Sequence, residues 1–392
     1  MKFLIKFFKW FAIILVSIIV LMYIFNVDYL LRAVRTIYFK GYTTAFLEDY
    51  KEFPNREIKK GIAQPWAIAS DYNSVPATQN LQNTHKELQT IAYLIIKNDS
   101  IWHESYFDGF DKNSKTNSFS MAKSVVTMAM GKAIMEGKMK SLDQKVTDFF
   151  PELKGKYAKE VTIGDLSSMA SGLSWDEKYY SPFSIVTRAY FDDNLKDVIL
   201  GLDIKEKPGQ SFKYLSGATQ LLAMCIEKAT GEYLSDYVSK HFWQPMGAEN
   251  EALWQLDEAP DGIEKAYCCI ASNARDFARF GKLYLNNGMW NGQQLLDSAF
   301  VKKCITPRFE KSPQYGYGWW MHEIKGKKLF YMRGHLGQFV IVIPEDDLII
   351  VRLGHLKGLQ TKTDPHSNDL YIYVEEAYNM LAQRDKKNNT SH

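Results

Sequence analysis

The sequence predicts an α/β fold in which an antiparallel sheet is flanked by helices and joined to an all-helical lobe. Two β-rich regions support this prediction, residues 92–106 and residues 329–353. Between them, residues 120–285 carry apolar side chains at helical spacing over several segments. We therefore expect strands from both β-rich regions to share one sheet, with the active site between that sheet and the helical lobe.

The individual elements follow from local patterns. Residues 92–96 and 101–106 flank the polar run Lys97-Asn98-Asp99-Ser100, which predicts a β-hairpin. A helix is predicted from Ser120 to Gly137, because glycine commonly ends helices. Further helices are expected over 220–229, 234–242, 274–285 and about 370–383, and strands over 329–332, 339–343 and 348–353.

The N-terminus predicts a membrane anchor within residues 1–28. The stretch 10–27 is uncharged and almost wholly apolar, and as a helix it would cover about 27 Å, near the thickness of a bilayer's hydrocarbon core. A cleaved signal peptide is the alternative, but the end of this stretch lacks a pair of small residues for a peptidase. We expect a cytoplasmic N-terminus and an extracytoplasmic, periplasmic catalytic domain.

The rest of the chain divides by composition. Residues 29–89 form a juxtamembrane stretch followed by a proline-containing, loop-rich arm, and residues 90–383 form the main domain, whose helical lobe spans about 138–285. Residues 384–392 are polar and predict a tail with nothing to pack.

Composition excludes several classes of partner. The net charge is +3 and no long basic run is present, so nucleic acid is not expected as a partner. Neither His-x-x-x-His nor His-Glu-x-x-His occurs, so no metal is expected. Four cysteines are too few for a disulfide framework, which favours buried free thiols at Cys225, Cys268, Cys269 and Cys304.

Ser120 and Lys123 form the most informative motif. On a helix, side chains three residues apart share a face, so the lysine amine can lie beside the serine hydroxyl. A serine becomes a nucleophile when a neighbouring base takes its proton, and a lysine serves if burial lowers its pKa. By itself this short motif also fits an ordinary surface helix start.

Two later motifs make the hypothesis more specific. Tyr214-Leu215-Ser216 precedes a predicted helix, and His335-Leu336-Gly337 precedes a predicted strand. The order Ser-x-x-Lys, Tyr-x-Ser, His-x-Gly resembles that of the serine β-lactamase and penicillin-binding-protein superfamily. The resemblance covers about residues 53–381 and is strongest to class C-like esterases and 6-aminohexanoate-dimer hydrolases.

The resemblance implies roles for individual residues. Ser120 would be the nucleophile, and Lys123 and Tyr214 would share the proton transfer. The oxyanion hole would be the backbone amides of Ser120 and Gln338, with Gly337 letting substrate approach the strand closely.

Two departures from the superfamily pattern bear on substrate choice. His335 stands where penicillin-recognising enzymes carry a lysine, so a carboxylate-binding cation is missing and neutral esters or amides are favoured. Ser216 replaces the usual asparagine and keeps hydrogen bonding at shorter reach. Trp175, Asp176 and Trp319 are candidates for lining the cleft, although aromatic residues are more often core. Asp176 and Glu177 are expected to be a solvated pair.

The predicted function is a membrane-anchored serine hydrolase that cleaves a small-molecule ester or amide through an acyl-enzyme on Ser120, without a cofactor. Two alternatives remain open. One is a D-Ala-D-Ala peptidase or β-lactamase, and the other is a non-catalytic or covalent sensor module of the same fold.

Overall fold

The computed structural model describes residues 1–389, in which one sheet joins the two β-rich regions of the chain. The helices are α1 Lys2–Ile24, α2 Tyr29–Thr36, α3 Gln79–Glu87, α4 Ala122–Met135, α5 Ile163–Ser167, α6 Ile185–Phe191, α7 Leu195–Leu200, α8 Ser216–Thr230, α9 Leu234–Val238, α10 Ala274–Leu285, α11 Ser298–Cys304 and α12 Asn368–Asn389. The strands are β1 Asn55–Ile58, β2 Ala67–Ile68, β3 Thr90–Lys97, β4 Ser100–Tyr106, β5 Thr116–Asn117, β6 Ala252–Gln255, β7 Ile270–Ser272, β8 Met289–Trp290, β9 Gln293–Gln294, β10 Trp320–Ile324, β11 Lys327–Gly334, β12 Gln338–Ile343 and β13 Leu348–Gly354.

The main sheet has the strand order β10-β11-β12-β13-β3-β4-β2. All neighbouring strands are antiparallel except β2 and β4. The predicted hairpin is β3 and β4, and β13 from the C-terminal region pairs with β3 in the register Ile350↔Ile95. The expectation that strands from both ends of the domain share one sheet is therefore confirmed.

The central strands are buried on both faces, which explains their nearly continuous apolar sequence. Along β3, Leu94 and Ile96 face the core that includes α4, α8 and α10, whereas Tyr93 and Ile95 pack on the side of α12. This alternation follows from the period of two residues in a strand. Helices thus cover both faces of the sheet, as the predicted α/β fold requires.

The region between the two halves of the sheet contains strands as well as helices. Strands β6 and β7 form a small sheet with β1 and β5 in the order β1-β6-β7-β5. β1 comes from the predicted loop-rich arm and lies almost two hundred residues from β6 in the sequence, with Arg56 opposite Trp254. Such short strands depend on a distant partner, so local periodicity alone does not reveal them.

At the two ends of the chain, the structure agrees with one sequence prediction and differs from another. Helix α1 has no buried residue and is long and apolar enough to cross a membrane, a property that signal sequences share. Helix α12 continues beyond the predicted end near residue 383, and Arg384 forms an ion pair with Asp71. The expectation of an unpacked tail is therefore wrong at Arg384, and residues 390–392 lie outside the described residues.

Candidate active site

Ser120 lies in a single 3₁₀ turn, Phe119–Met121, that leads directly into α4. The preceding residue, Phe119, has a φ of +46°, which is unusual for a residue with a side chain. Its amide donates a 2.8 Å hydrogen bond to the side chain of Asn117, which in turn donates to buried Asp49. These contacts hold the turn in a conformation that a free peptide would rarely adopt.

Lys123 lies beside Ser120, as the spacing predicts. Its Nζ is 2.9 Å from Ser120 Oγ and donates a 2.7 Å hydrogen bond to the carbonyl of Tyr267. The residue is 2% exposed. Burial lowers the pKa of Lys123 to about 7, although the charge of Glu177 acts in the opposite direction. A substantial neutral fraction is therefore available near neutral pH to accept the serine proton.

Tyr214 completes the group around the nucleophile. The Ser120 side chain lies close enough to its hydroxyl to act on the pKa of Tyr214, and Lys123 Nζ lies 5.1 Å from the centre of its ring. Burial raises the pKa of Tyr214, so the phenol keeps its proton at neutral pH. A protonated phenol in this position is suited to donate a proton.

Glu177 belongs to the site, although the sequence suggested a solvated residue. Its carboxylate accepts hydrogen bonds from the backbone amide of Ser216 and, at 3.2 Å, from the Ser216 hydroxyl. Ser216 thus begins α8 with its amide bound to a carboxylate, a favourable arrangement at a helix N-terminus. Sequence reasoning missed this contact because the two residues are far apart in the chain.

The imidazole of His335 packs between two aromatic rings in the cleft. It stacks on Tyr179 at 5.6 Å and meets Phe119 edge-on at 5.5 Å. Burial lowers the pKa of His335 to about 4, with a smaller contribution from Lys357, so the ring is neutral at pH 7. Its Nε2 has no hydrogen-bond partner among the described residues.

Contacts with Gly354 and Arg352 hold the segment around Gly337 and Gln338 in place. The Gln338 side chain is held by Gly354, to which it both donates and accepts. A Cβ at Gly337, whose φ is +78°, would lie 2.6 Å from Arg352 Nη1. Glycine is therefore needed there by the backbone and by packing against Arg352, and its role in substrate approach stays a prediction.

Two cavities open at Ser120, and both are also lined by Tyr179, Tyr180 and His335. The cavity that we call the cationic cleft has a volume of about 340 Å³ and is lined by Ser120, Glu177, Tyr179, Tyr180, Tyr214, Trp320, Arg333, Gly334, His335, Lys357 and Gln360. The second, which we call the apolar cavity, has a volume of about 100 Å³ and also contains Ser120 and His335. Gln338 lines neither cavity.

The cationic cleft contains the positive charge that the sequence did not reveal. Among the described residues, Arg333 donates hydrogen bonds to two neutral acceptors, Pro365 O at 2.7 Å and Gln360 Oε1 at 2.8 Å. Partial burial and the neighbouring Arg333 lower the pKa of Lys357. Within the described residues neither cation forms an ion pair with a carboxylate. His335 is neutral, as the sequence predicts, and Arg333 and Lys357 add positive charge to the cleft from outside the motif.

The three predicted cleft-lining residues lie elsewhere. Trp319 is 0% exposed and packs in the core at 4.3 Å from Tyr284. Trp175 is buried edge-on to Tyr267, and Asp176 is half-exposed near Lys178. In place of Trp319, its neighbour Trp320 lines the cleft, 5.6 Å from the Tyr214 ring. Trp319 and Trp320 adjoin in sequence, and the structure buries one and turns the other to the site.

The cysteines differ from the expectation of four free thiols. Cys268 and Cys269 form a disulfide between adjacent residues, whereas Cys225 and Cys304 are free and buried. Cys268 lines the apolar cavity. No cluster of metal-ligating side chains is found in the part of the chain that the structure describes.

Comparisons with known proteins agree with this arrangement. The profile of the Beta-lactamase family matches residues 77–369. The 6-aminohexanoate-dimer hydrolase of Paenarthrobacter ureafaciens is 24% identical over 313 residues, which cover 72% of this chain and 79% of that protein.

Solved structures show the same fold. A Bacillus anthracis protein described as a proposed 6-aminohexanoate-dimer hydrolase superposes with a TM-score of 0.69 at 22% identity, over 86% of this chain and 92% of that one. A penicillin-binding protein homologue of Pyrococcus abyssi superposes with a TM-score of 0.56 at 20% identity, over 70% and 72% of the two chains. The chain belongs to the β-lactamase family and has its β-lactamase/transpeptidase-like fold.

Proposed function

We propose that this protein is a serine hydrolase that cleaves an ester or amide bond through an acyl-enzyme on Ser120. The observation that carries the proposal is the 2.9 Å contact between Lys123 Nζ and Ser120 Oγ, together with the burial that lowers the pKa of Lys123 to about 7. A serine hydroxyl beside an amine with a substantial neutral fraction is an activated nucleophile.

The acylation step uses three side chains. Neutral Lys123 accepts the proton of Ser120 as Oγ bonds to the substrate carbonyl carbon. When the tetrahedral intermediate collapses, the bond to the leaving group breaks and Tyr214 donates its proton to that group. Lys123 then passes the proton that it took from Ser120 to the Tyr214 phenolate, which restores the phenol. Water then attacks the acyl-enzyme, losing a proton to the same pair, and releases the acid and free Ser120.

The oxyanion hole is assigned to the backbone amides of Ser120 and His335. His335 lines both cavities with Ser120, whereas Gln338 lines neither, which supports His335 over the residue inferred from sequence. A Cβ at Gly334 would lie 2.2 Å from Ser118 O, so the end of β11 approaches the turn that carries the nucleophile. Two amides directed at the developing negative charge stabilise it without reorganisation.

Helix α1 is proposed to anchor the enzyme, with the catalytic domain in the periplasm. Its length and its apolar surface without a buried residue support anchoring, and the lysines that precede the apolar stretch support a cytoplasmic N-terminus. The partners proposed for the chain are accordingly a membrane and a small-molecule ester or amide.

A peptidase or β-lactamase activity is the second candidate. Arg333 and Lys357 favour it, because two cations without carboxylate partners can bind the carboxylate of a peptide or β-lactam. The relative from Paenarthrobacter ureafaciens is a 6-aminohexanoate-dimer hydrolase, and supports an amide substrate for this chain.

The test is intact-mass spectrometry of the full chain in detergent after exposure to a fluorophosphonate. We expect one adduct on the wild type and none on Ser120→Ala. Ser114→Ala, in the loop after β4, is the matched control and should keep the adduct. Absence of an adduct on folded wild-type protein would contradict the hydrolase and favour a binding module. An adduct without turnover of any ester, amide or β-lactam would favour the covalent sensor.

A further inference from the structure

The apolar cavity is built partly from the segment that follows the N-terminal helix. Ala33 and Ile37, from α2 and its end, are 5% and 4% exposed and line the cavity together with Ser120. Residues 43–45 extend this wall. The segment 33–45 begins only nine residues after α1 ends. No sequence motif predicts that it contributes to the active site.

The cavity has no charged wall. Among its lining residues none is Asp, Glu, Lys or Arg, and the imidazole of His335 is neutral at pH 7. Val186 and Phe191 of α6, a helix that packs against α2, also line the cavity. An ionised group placed here would lose its hydration without gaining a partner, so the cavity suits an apolar group.

The position of Tyr214 decides which part of the substrate enters each cavity. Tyr214 donates its proton to the leaving group, and it lines the cationic cleft but not the apolar cavity. The leaving group therefore departs on the side of Arg333 and Lys357. The acyl group, which remains bonded to Ser120, is therefore assigned to the apolar cavity, which Ser120 also lines.

We propose that residues 33–45 complete an acyl pocket, and that the physiological substrate carries a short, uncharged acyl group. The inference rests on the proposed hydrolase function. A volume of about 100 Å³ accommodates roughly three or four groups of the size of a water molecule, each of which takes about 30 Å³ in the liquid. An acyl chain of about four carbons fills it, and longer chains meet Ala33 and Ile37.

The test measures kcat/KM for a series of esters that share one alcohol and differ in acyl length from acetate to decanoate. We expect the wild type to prefer about four carbons. Ile37→Ala enlarges the pocket and should move the preference to longer chains, whereas Ala33→Leu should lower the butanoate-to-acetate ratio by roughly 10-fold, since a methylene is worth about that much in an apolar pocket. Val34→Leu is the matched control, because Val34 adjoins Ala33 on α2 but is 39% exposed.

Fluorophosphonate titration gives the concentration of active sites in each preparation. The ratio of kcat/KM values for two esters of different acyl length does not depend on how much of the variant protein is folded. If the wild type labels and turns over esters but neither variant changes the chain-length profile, the acyl pocket is overturned while the hydrolase stands. A wild-type preference for decanoate would also overturn it. If the wild type does not label at all, the proposed function itself fails.

Discussion

The carboxylate of Glu177 binds both the backbone amide and the hydroxyl of Ser216 at the start of α8. This contact fixes a negative charge in the cationic cleft, near the buried amine of Lys123. The charge of Glu177 raises the pKa of Lys123 and so partly offsets the effect of burial. Glu177 therefore acts on the proposed base through space, without touching the reacting atoms.

Replacing Glu177 by glutamine should move the pH at which the enzyme becomes active. Glutamine keeps an acceptor for the Ser216 amide and removes the charge, so the pKa of Lys123 should fall. The rising limb of kcat/KM against pH should shift to lower pH, with activity at pH 6 increased relative to pH 8. Asp176→Asn is the control, because the neighbouring carboxylate is half-exposed and should leave the limb in place. An unshifted limb in Glu177→Gln would show that the two residues are not coupled.

For the wild type, the pH dependence itself reports the proposed base. The reaction requires the neutral form of Lys123, whose pKa is about 7. kcat/KM should therefore rise about tenfold per pH unit well below pH 7 and level off above it, measured with a neutral ester. His335, with a pKa of about 4, is neutral across this range and should add no second limb. A limb that falls between pH 6 and 8 would contradict the role of Lys123.

The two cations of the cleft should favour leaving groups that carry a carboxylate. Removing the Arg333 charge in Arg333→Met should lower kcat/KM for such an ester by roughly tenfold or more, since a charge-assisted hydrogen bond contributes about 1.5–3 kcal/mol. The methyl ester of the same leaving group should change much less. Lys357→Met should act in the same direction, and exposed Lys362→Met, outside the cleft, serves as the control. Equal losses for the charged and neutral substrates would indicate disrupted packing.

The sequence was most informative where local pattern and chemistry agree. The hairpin of β3 and β4, the helix after Ser120 and the strands β11 to β13 follow from periodicity that the tertiary structure does not override. The three-residue spacing of Ser120 and Lys123 likewise predicts their contact. These features depend on residues that are close in the chain.

The features that sequence reasoning missed depend on contacts between distant residues. Glu177 resembles any acidic loop residue until Ser216 is placed beside it. Arg333 lies on a strand, and no local sequence pattern indicates that Lys357 lines the same cleft. The motif around Gly337 predicts Gln338 as the second oxyanion amide, whereas we propose His335, which follows the end of β11 and lines both cavities with Ser120. Motif position alone does not fix which amide faces the site.

Substitutions of the adjacent residues Trp319 and Trp320 test which of the two packs in the core and which lines the cleft. Trp319 is fully buried between Tyr284 and Phe330, so Trp319→Ala should leave a cavity and reduce the free energy of unfolding by about 3–5 kcal/mol. Trp320 is only partly buried and packs against Tyr214, so Trp320→Ala should have the smaller effect on stability and the larger effect on kcat/KM per active site. Urea unfolding followed by circular dichroism measures the first quantity, and ester hydrolysis normalised to fluorophosphonate-reactive sites measures the second. The opposite pattern would be a loss of turnover without a loss of stability in Trp319→Ala, and a loss of stability in Trp320→Ala. That result would place Trp319 in the cleft, because a residue that packs in the core should affect stability when it is removed.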